Sequence, residues 1–164
     1  MDSKDAHPPD SRPPTLDDLL LLCRSLNEAG ARYLVVGGFA VMQHGFTRAT
    51  EDVDLLVESS AENQARVKKG LEALPDKAVL ELADDDLRNW VVVRVADEFV
   101  VDLMLAACGI GYEEASKEIE TVLIQGVPIP FASPALLLRM KQTHREKDQL
   151  DRMFLERKIR GEIS

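Results

Sequence analysis

Positive charge is what this chain has too little of. It carries 20 Lys and Arg against 29 Asp and Glu, a formal net charge of −9. Broad, sequence-independent nucleic-acid binding needs a surplus of basic side chains to neutralise phosphates, so that class is disfavoured, although a local basic patch is compatible with the balance. Cysteine is scarce as well. Cys23 and Cys108 stand in apolar surroundings, "LLCR" and "AACG", and are expected as reduced, packed thiols; no Cys or His spacing fits a zinc site. No apolar run approaches the ~20 residues of a membrane-spanning helix. The first 14 residues are polar and contain Pro8, Pro9, Pro13 and Pro14, without the apolar segment of a signal peptide. The expectation is a soluble, cytoplasmic protein with no membrane partner and a disordered tail over 1–14.

Across its 164 residues, 45% are hydrophobic and 30% charged, the balance of an ordinary globular chain. That length suits one domain, here placed at 15–160, and internal repeats are absent. Thr15 reads as an N-cap with Asp17 and Asp18 in the first helical turn, and the helix is expected to stop at Gly30. "RYLVVGG" reads as a β-branched strand ending in two glycines, "FAVMQHG" as a short helix closed by Gly45, "FTRATE" as loop and "DVDLLVE" as a second strand. The stretch "SSAENQARVKKGLEAL" reads as a helix ended by Pro75. Strands are then expected at "KAVLEL", "DLRNWVVVRV" and "EFVVDLML", the last two joined at Ala96–Glu98. "TVLIQGVPIPFAS" gives two more around Gly126. Ser133-Pro134 open a helix that continues to the C-terminal end, bent near Thr143. Helices and strands in this order make an α+β domain, a mixed sheet flanked by helices, and not an alternating doubly wound one.

The chemistry concentrates in "TEDVDLLVE". Asp52 and Asp54 are two residues apart in a strand, so both point to one face while Val53 and Leu55 point to the other. Desolvating one carboxylate is costly and two on one face also repel. Asp102, between Val101 and Leu103, repeats the pattern. An edge strand wetting its polar face would explain the pair alone. Three strand-centre acids suggest convergence on a hard divalent cation such as Mg²⁺, which relieves both penalties. Gly37-Gly38 sits at a strand-to-helix junction, where missing side chains let a phosphate approach backbone N–H groups; a plain tight turn is the bland alternative.

Together, "VVGG", "TEDVDL" and the later "VVDLM" resemble the nucleotidyltransferase superfamily built on a DNA polymerase β-like palm. "GFTRATEDVDL" is similar to small bacterial members, the AbiEii-like abortive-infection toxins and the minimal antibiotic-type transferases, in which Arg-x-Thr precedes the acid pair. "LLLRMKQTHREKDQLDRMFL" resembles the family helix that supplies a lysine. The resemblance spans roughly 30–155 and implies Mg²⁺-dependent transfer of a nucleoside monophosphate from an NTP, ATP among them, to an acceptor hydroxyl. It implies Gly37 and Gly38 against the β- and γ-phosphates, and Asp52 and Asp54 on the Mg²⁺ that carries the triphosphate. Asp102 would share a second Mg²⁺ and activate the acceptor. Arg48 would neutralise phosphate or acceptor charge, Thr50 would order the loop, and Lys141, then Arg145 and Lys147, would reach the triphosphate.

Against these roles stand a surface pairing of Arg48 with Glu51 and a solvated Lys141 beside a wet face of Arg145, Glu146, Lys147 and Asp148. An RNA 3′ end, a protein side chain and a small molecule such as an antibiotic are open as acceptor. An antitoxin, a second subunit or a homodimer are open as partners. The alternative is a non-catalytic module that binds nucleotide or a partner on the same fold. The three intact acids speak for catalysis, and the short chain speaks for the module.

Overall fold

A computed structural model of the chain describes residues 11–163 in full and the backbone of Ser3–Ala6. Strand β1 is Ser3–Ala6, β2 Tyr33–Val36, β3 Asp52–Val57, β4 Val92–Ala96, β5 Val100–Met104, β8 Ile119–Ile124 and β9 Val127–Ala132. They form one seven-stranded mixed sheet in the order β1-β4-β5-β3-β2-β9-β8, and β6 (Ala106–Ala107) pairs with β7 (Ile110–Gly111) as a separate two-stranded ribbon. The helices are α1 (Leu16–Glu28), α2 (Gly37–Gln43), α3 (Ala61–Leu71), α4 (Asp86–Asn89), α5 (Tyr112–Ala115), α6 (Pro134–Met140) and α7 (Glu146–Ile159). The architecture is α+β, with a mixed sheet flanked by helices. Among the described residues no helix is long and apolar enough to cross a membrane.

Local sequence explains most of these elements. Thr15 caps α1 through a capping box with Asp18, and Ser60 and Ser133 accept the N3 amide of α3 and α6. Helix α1 stops where Gly30 takes φ +72°. Helices α1 and α3 cross closely enough that a side chain at Gly70 would meet Leu26 within 2.7 Å. They bring Leu19, Leu22, Leu26, Val67 and Leu71 into the core. Within β3, Val53, Leu55 and Val57 are fully buried on the face opposite Asp52 and Asp54. The sheet thus has an apolar side that carries the stability and a side where acids are placed.

Several elements differ from the sequence reading. "KAVLEL" forms a 3₁₀ turn over Ala78–Glu81, not a strand. The buried Asp97 carboxylate fixes it there, accepting the amides of Asp76 and Ala78 at 2.9 Å each and withdrawing them from any ladder. "DLRN" is helical and β4 begins only at Val92. The C-terminal helix is broken, not bent: α6 ends at Met140 and α7 starts at Glu146. Arg152 holds the connector from inside by donating to the carbonyls of Lys141 and Thr143.

Within the first 14 residues, Ser3–Ala6 form strand β1. Ser3–Ala6 run parallel to Val92–Val95, which supplies partners to a row of backbone groups that β4 would otherwise present at the sheet edge. Ser11 donates to the Asp97 carbonyl at 2.8 Å, and Arg12 bonds both oxygens of Asp18. The rest of that stretch, 1–2 and 7–10, lies outside the described residues. Cys23 is buried as expected, but Cys108 is exposed in the β6–β7 turn at φ 48°.

Candidate active site

Three adjacent strands build the acidic face. Parallel pairing of β3 with β5 sets Asp54 opposite Asp102, and antiparallel pairing of β5 with β4 sets Arg94 opposite Asp102. Alternation then directs Asp52, Asp54, Asp102 and Arg94 to one side of the sheet. One carboxylate oxygen from each of the three acids lies within 4.8 Å of the other two. A cation with ligands at about 2.0–2.6 Å bridges that span with little movement.

Arg94 forks onto Asp102, Nε to Oδ1 and Nη2 to Oδ2, both at 3.0 Å, and Nη2 reaches Asp52 Oδ2 at 3.4 Å. Burial pushes the Asp54 carboxyl well above the usual aspartate range, and the charges of Asp52 and Asp102 push the same way. Asp52 is raised for the same reasons, burial first and Asp102 second. Lys147 opposes the shift at both groups. The surroundings therefore leave the acids short of compensating positive charge.

On the flank away from Arg94, Gly37 presses against Asp54. Its φ is +68°, and a Cβ there would fall within the Asp54 carboxylate. Gly37→Ala is therefore expected to lower stability by more than the roughly 1–2 kcal/mol of a left-handed L-residue, seen as a lower melting temperature together with weakened NTP binding. Gly38 is confined too, since a Cβ there would lie 2.5 Å from Thr50 Oγ1 and 3.0 Å from Arg48 Nη2. Thr50 donates its hydroxyl to the Asp52 carbonyl at 3.0 Å, fastening the loop to the start of β3.

Arg48 and Lys141 meet over the C-terminal helix. Asp151 lies 3.1 Å from Arg48 Nε through one oxygen and 2.9 Å from Lys141 Nζ through the other. These are ion-pair distances without hydrogen-bond alignment, and Arg48 Nε and both Asp151 oxygens are sealed from solvent. Asp148 lies 3.3 Å from Lys141 Nζ and also takes the Thr143 hydroxyl and Arg145 Nε, at 2.5 and 2.7 Å. Burial pushes its carboxyl up, but those two bonds outweigh burial and hold it below the usual range.

Two alternatives from the sequence are thus corrected. Arg48 pairs with Asp151, not Glu51, and Lys141 is buried, not solvated. The wet face is corrected in part, because Asp148 is completely buried. His44, outside the cleft, sets Nε2 2.8 Å from the Ala132 carbonyl, where the ring N–H donates.

One cleft of about 620 Å³ gathers Gly37, Gly38, Arg48, Thr50, Lys141, Arg145 and Lys147 with the three acids. Apolar side chains share the lining, among them Val91, Val92, Met104, Ala106 and Ala107, with Cys108 beside them. Such a volume suits a nucleotide with part of a second ligand.

No family model matches the sequence, and no curated protein matches it. Solved structures do. A lincosamide antibiotic adenylyltransferase, LnuA, bound to lincomycin, superposes with a TM-score of 0.57 at 16% identity, over 88% of this chain and 98% of that one. The chain has the nucleotidyltransferase fold. ANT(2″)-Ia in complex with adenylyl-2″-tobramycin shares it at a TM-score of 0.55 and 13% identity, over 88% of each chain. An antigenic nucleotidyltransferase-like protein from Paracoccidioides brasiliensis does so at 0.55 and 18%, over 90% of this chain and 78% of that one.

On this nucleotidyltransferase fold, sequence reasoning missed Arg94 and Asp151. The first was discoverable: once the turn is centred on 97–99, hairpin register places Arg94 opposite Asp102.

Proposed function

We propose that this chain transfers a nucleoside monophosphate from an NTP to a hydroxyl of a small-molecule acceptor, releasing pyrophosphate. The observation that carries the reading is the make-up of one cleft, in which Gly37, Gly38 and a group of cations share a lining with the three acids and with apolar side chains. A divalent cation held by Asp52 and Asp54 would supply charge stabilisation at the phosphates.

The chain's own residues do the rest. The backbone N–H groups of Gly37 and Gly38, at a helix start whose N-cap, Val36, offers no side-chain bond, would face phosphate oxygens. Lys147, Arg145 and Lys141 meet triphosphate charge from α7 and the connector. The acceptor enters past Asp102. Its hydroxyl oxygen attacks the α-phosphorus, the bond to pyrophosphate breaks, and the proton passes to an Asp102 carboxylate oxygen. Val92 and the β6–β7 ribbon give that acceptor an apolar surface to lie on.

Three supports favour a small molecule: the fold is shared with two enzymes solved with antibiotic ligands, the cleft is of matching size, and the net charge is acidic. A purely binding role is not favoured, because the costly carboxylate cluster would then have no use.

The test is a melting-temperature series with each of the four NTPs, with and without Mg²⁺. An NTP at about 100 times its dissociation constant stabilises by about 2.7 kcal/mol, which at about 2–4 °C per kcal/mol gives a rise of roughly 5–10 °C. The expected shift requires Mg²⁺. Pyrophosphate release on adding hydroxyl-bearing small molecules then identifies the acceptor. If no NTP moves the melting point, the reading is wrong.

A further inference from the structure

The carboxylate cluster already has one cation beside it, and that cation belongs to the protein. We propose that Arg94 takes the place of a second divalent ion, so that the site operates with a single ion on Asp52 and Asp54. This rests on the nucleotidyltransferase reading above and replaces the expectation of two ions.

Sheet order carries the argument. Along β4-β5-β3-β2 the side chains succeed one another as Arg94, Asp102, then Asp52 and Asp54, then Gly37. Arg94 therefore flanks the acids from the Asp102 side, and Asp54, packed against Gly37, stands at the opposite end of the row.

The contacts agree with that order. Both oxygens of Asp102 are engaged at 3.0 Å by one guanidinium, which also reaches Asp52 at 3.4 Å. A second ion on Asp102 would have to share an oxygen that already accepts from Arg94. It would also sit a few ångströms from a guanidinium, and like charges so close repel strongly in a partly desolvated cleft. Arg94 cannot relieve that repulsion by losing a proton. Cross-strand register keeps the two backbones directly opposite each other. The planar fork matches the carboxylate and leaves Asp102 held in one orientation beside the acceptor wall.

The test counts ions. The full chain, saturated with a non-hydrolysable NTP analogue, is titrated with Mn²⁺, and bound ions are counted from the residual free-ion EPR signal. One Mn²⁺ per chain is expected for the wild type, two for Arg94→Gln and one for Arg94→Lys, which keeps the charge. Arg94→Met repeats the count if Arg94→Gln melts too low to titrate. Two ions in the wild type, or one in both uncharged variants, overturns the proposal while leaving the transferase reading intact. Failure of that reading looks different: the analogue then shifts no melting point and the wild type binds no Mn²⁺.

Discussion

Asp54→Asn is expected to lose nucleotidyl transfer by about 10³-fold or more, beyond the 10–100-fold cost of altering groups outside the ligand set, and yet to melt a few degrees above the wild type in metal-free buffer. Both effects come from the same carboxylate. It lies against Gly37 and faces Asp52 and Asp102, so its ionised form is disfavoured first by burial and then by like charge. Asparagine keeps the shape and removes the charge. A gain of about 1–2 kcal/mol at neutral pH corresponds to a few degrees in a domain of this size, the usual relation between a site built for function and stability left unused.

The pH dependence gives an independent check. A carboxyl whose folded-state pKa is raised above 3.8 retains its proton in the native state at pH values where the unfolded chain has lost it. Native protein then binds more protons than unfolded, so stability falls as pH rises from 3.8 through the folded pKa. Metal-free wild type should lose stability across that window, and Asp54→Asn should lose less. A variant that melts below the wild type at pH 7, or an unchanged slope, would count against this account. EDTA should abolish the difference between wild type with and without Mg²⁺, while barely affecting the variant.

Asp151→Ala is expected to be the most damaging single change to folding. Its carboxylate is fully enclosed and sits between Arg48 and Lys141. Removing it leaves two cations facing each other with Asp148 alone to compensate. Breaking a buried pair in this way costs roughly 3–5 kcal/mol, or about 6–20 °C in melting temperature. Asp151→Leu with Lys141→Met restores charge balance in an apolar setting. The pair should cost less than the sum of the single changes, so additive losses would mean that Asp151 and Lys141 are not coupled. Transfer activity should fall in both single variants at temperatures where they remain folded, because Arg48 and Lys141 line the cleft.

Legibility in the sequence followed how local each signal is. Asp52, Asp54 and Asp102 stood out because strand alternation is a property of neighbouring residues, and polar atoms in apolar strands need a reason. Gly37 and Gly38 stood out for a similar reason. Arg94 required knowing where the hairpin turns, since its partner is eight residues on. Asp148 and Asp151 were hidden by their type. Helix α7 buries Asp148, Asp151 and Leu155 on one face, so its inward side is partly charged and the usual apolar periodicity is lost. Cys108 was misjudged for another reason: its apolar neighbours suggested packing, but it sits exposed in the β6–β7 turn, with Sγ 3.1 Å from the Met140 carbonyl. "KAVLEL" has the short apolar run of a strand, and the distant Asp97 holds its start in another conformation. The tail segment Ser3–Ala6 gives no apolar signal at all, because its pairing with β4 uses backbone groups.

The clasp between Asp151, Lys141 and Arg48 also sets an order of events during synthesis. A ribosome delivers the three acids, Gly37, Gly38 and every strand of the sheet before α7 emerges. Until then Arg48 and Lys141 have no counter-charge to settle against, and the cleft has no lid on its cationic side. A nascent or prematurely terminated chain could hold most of its core and still be unable to grip a triphosphate. On the proposed reading, triphosphate binding is expected only once α7 is in place.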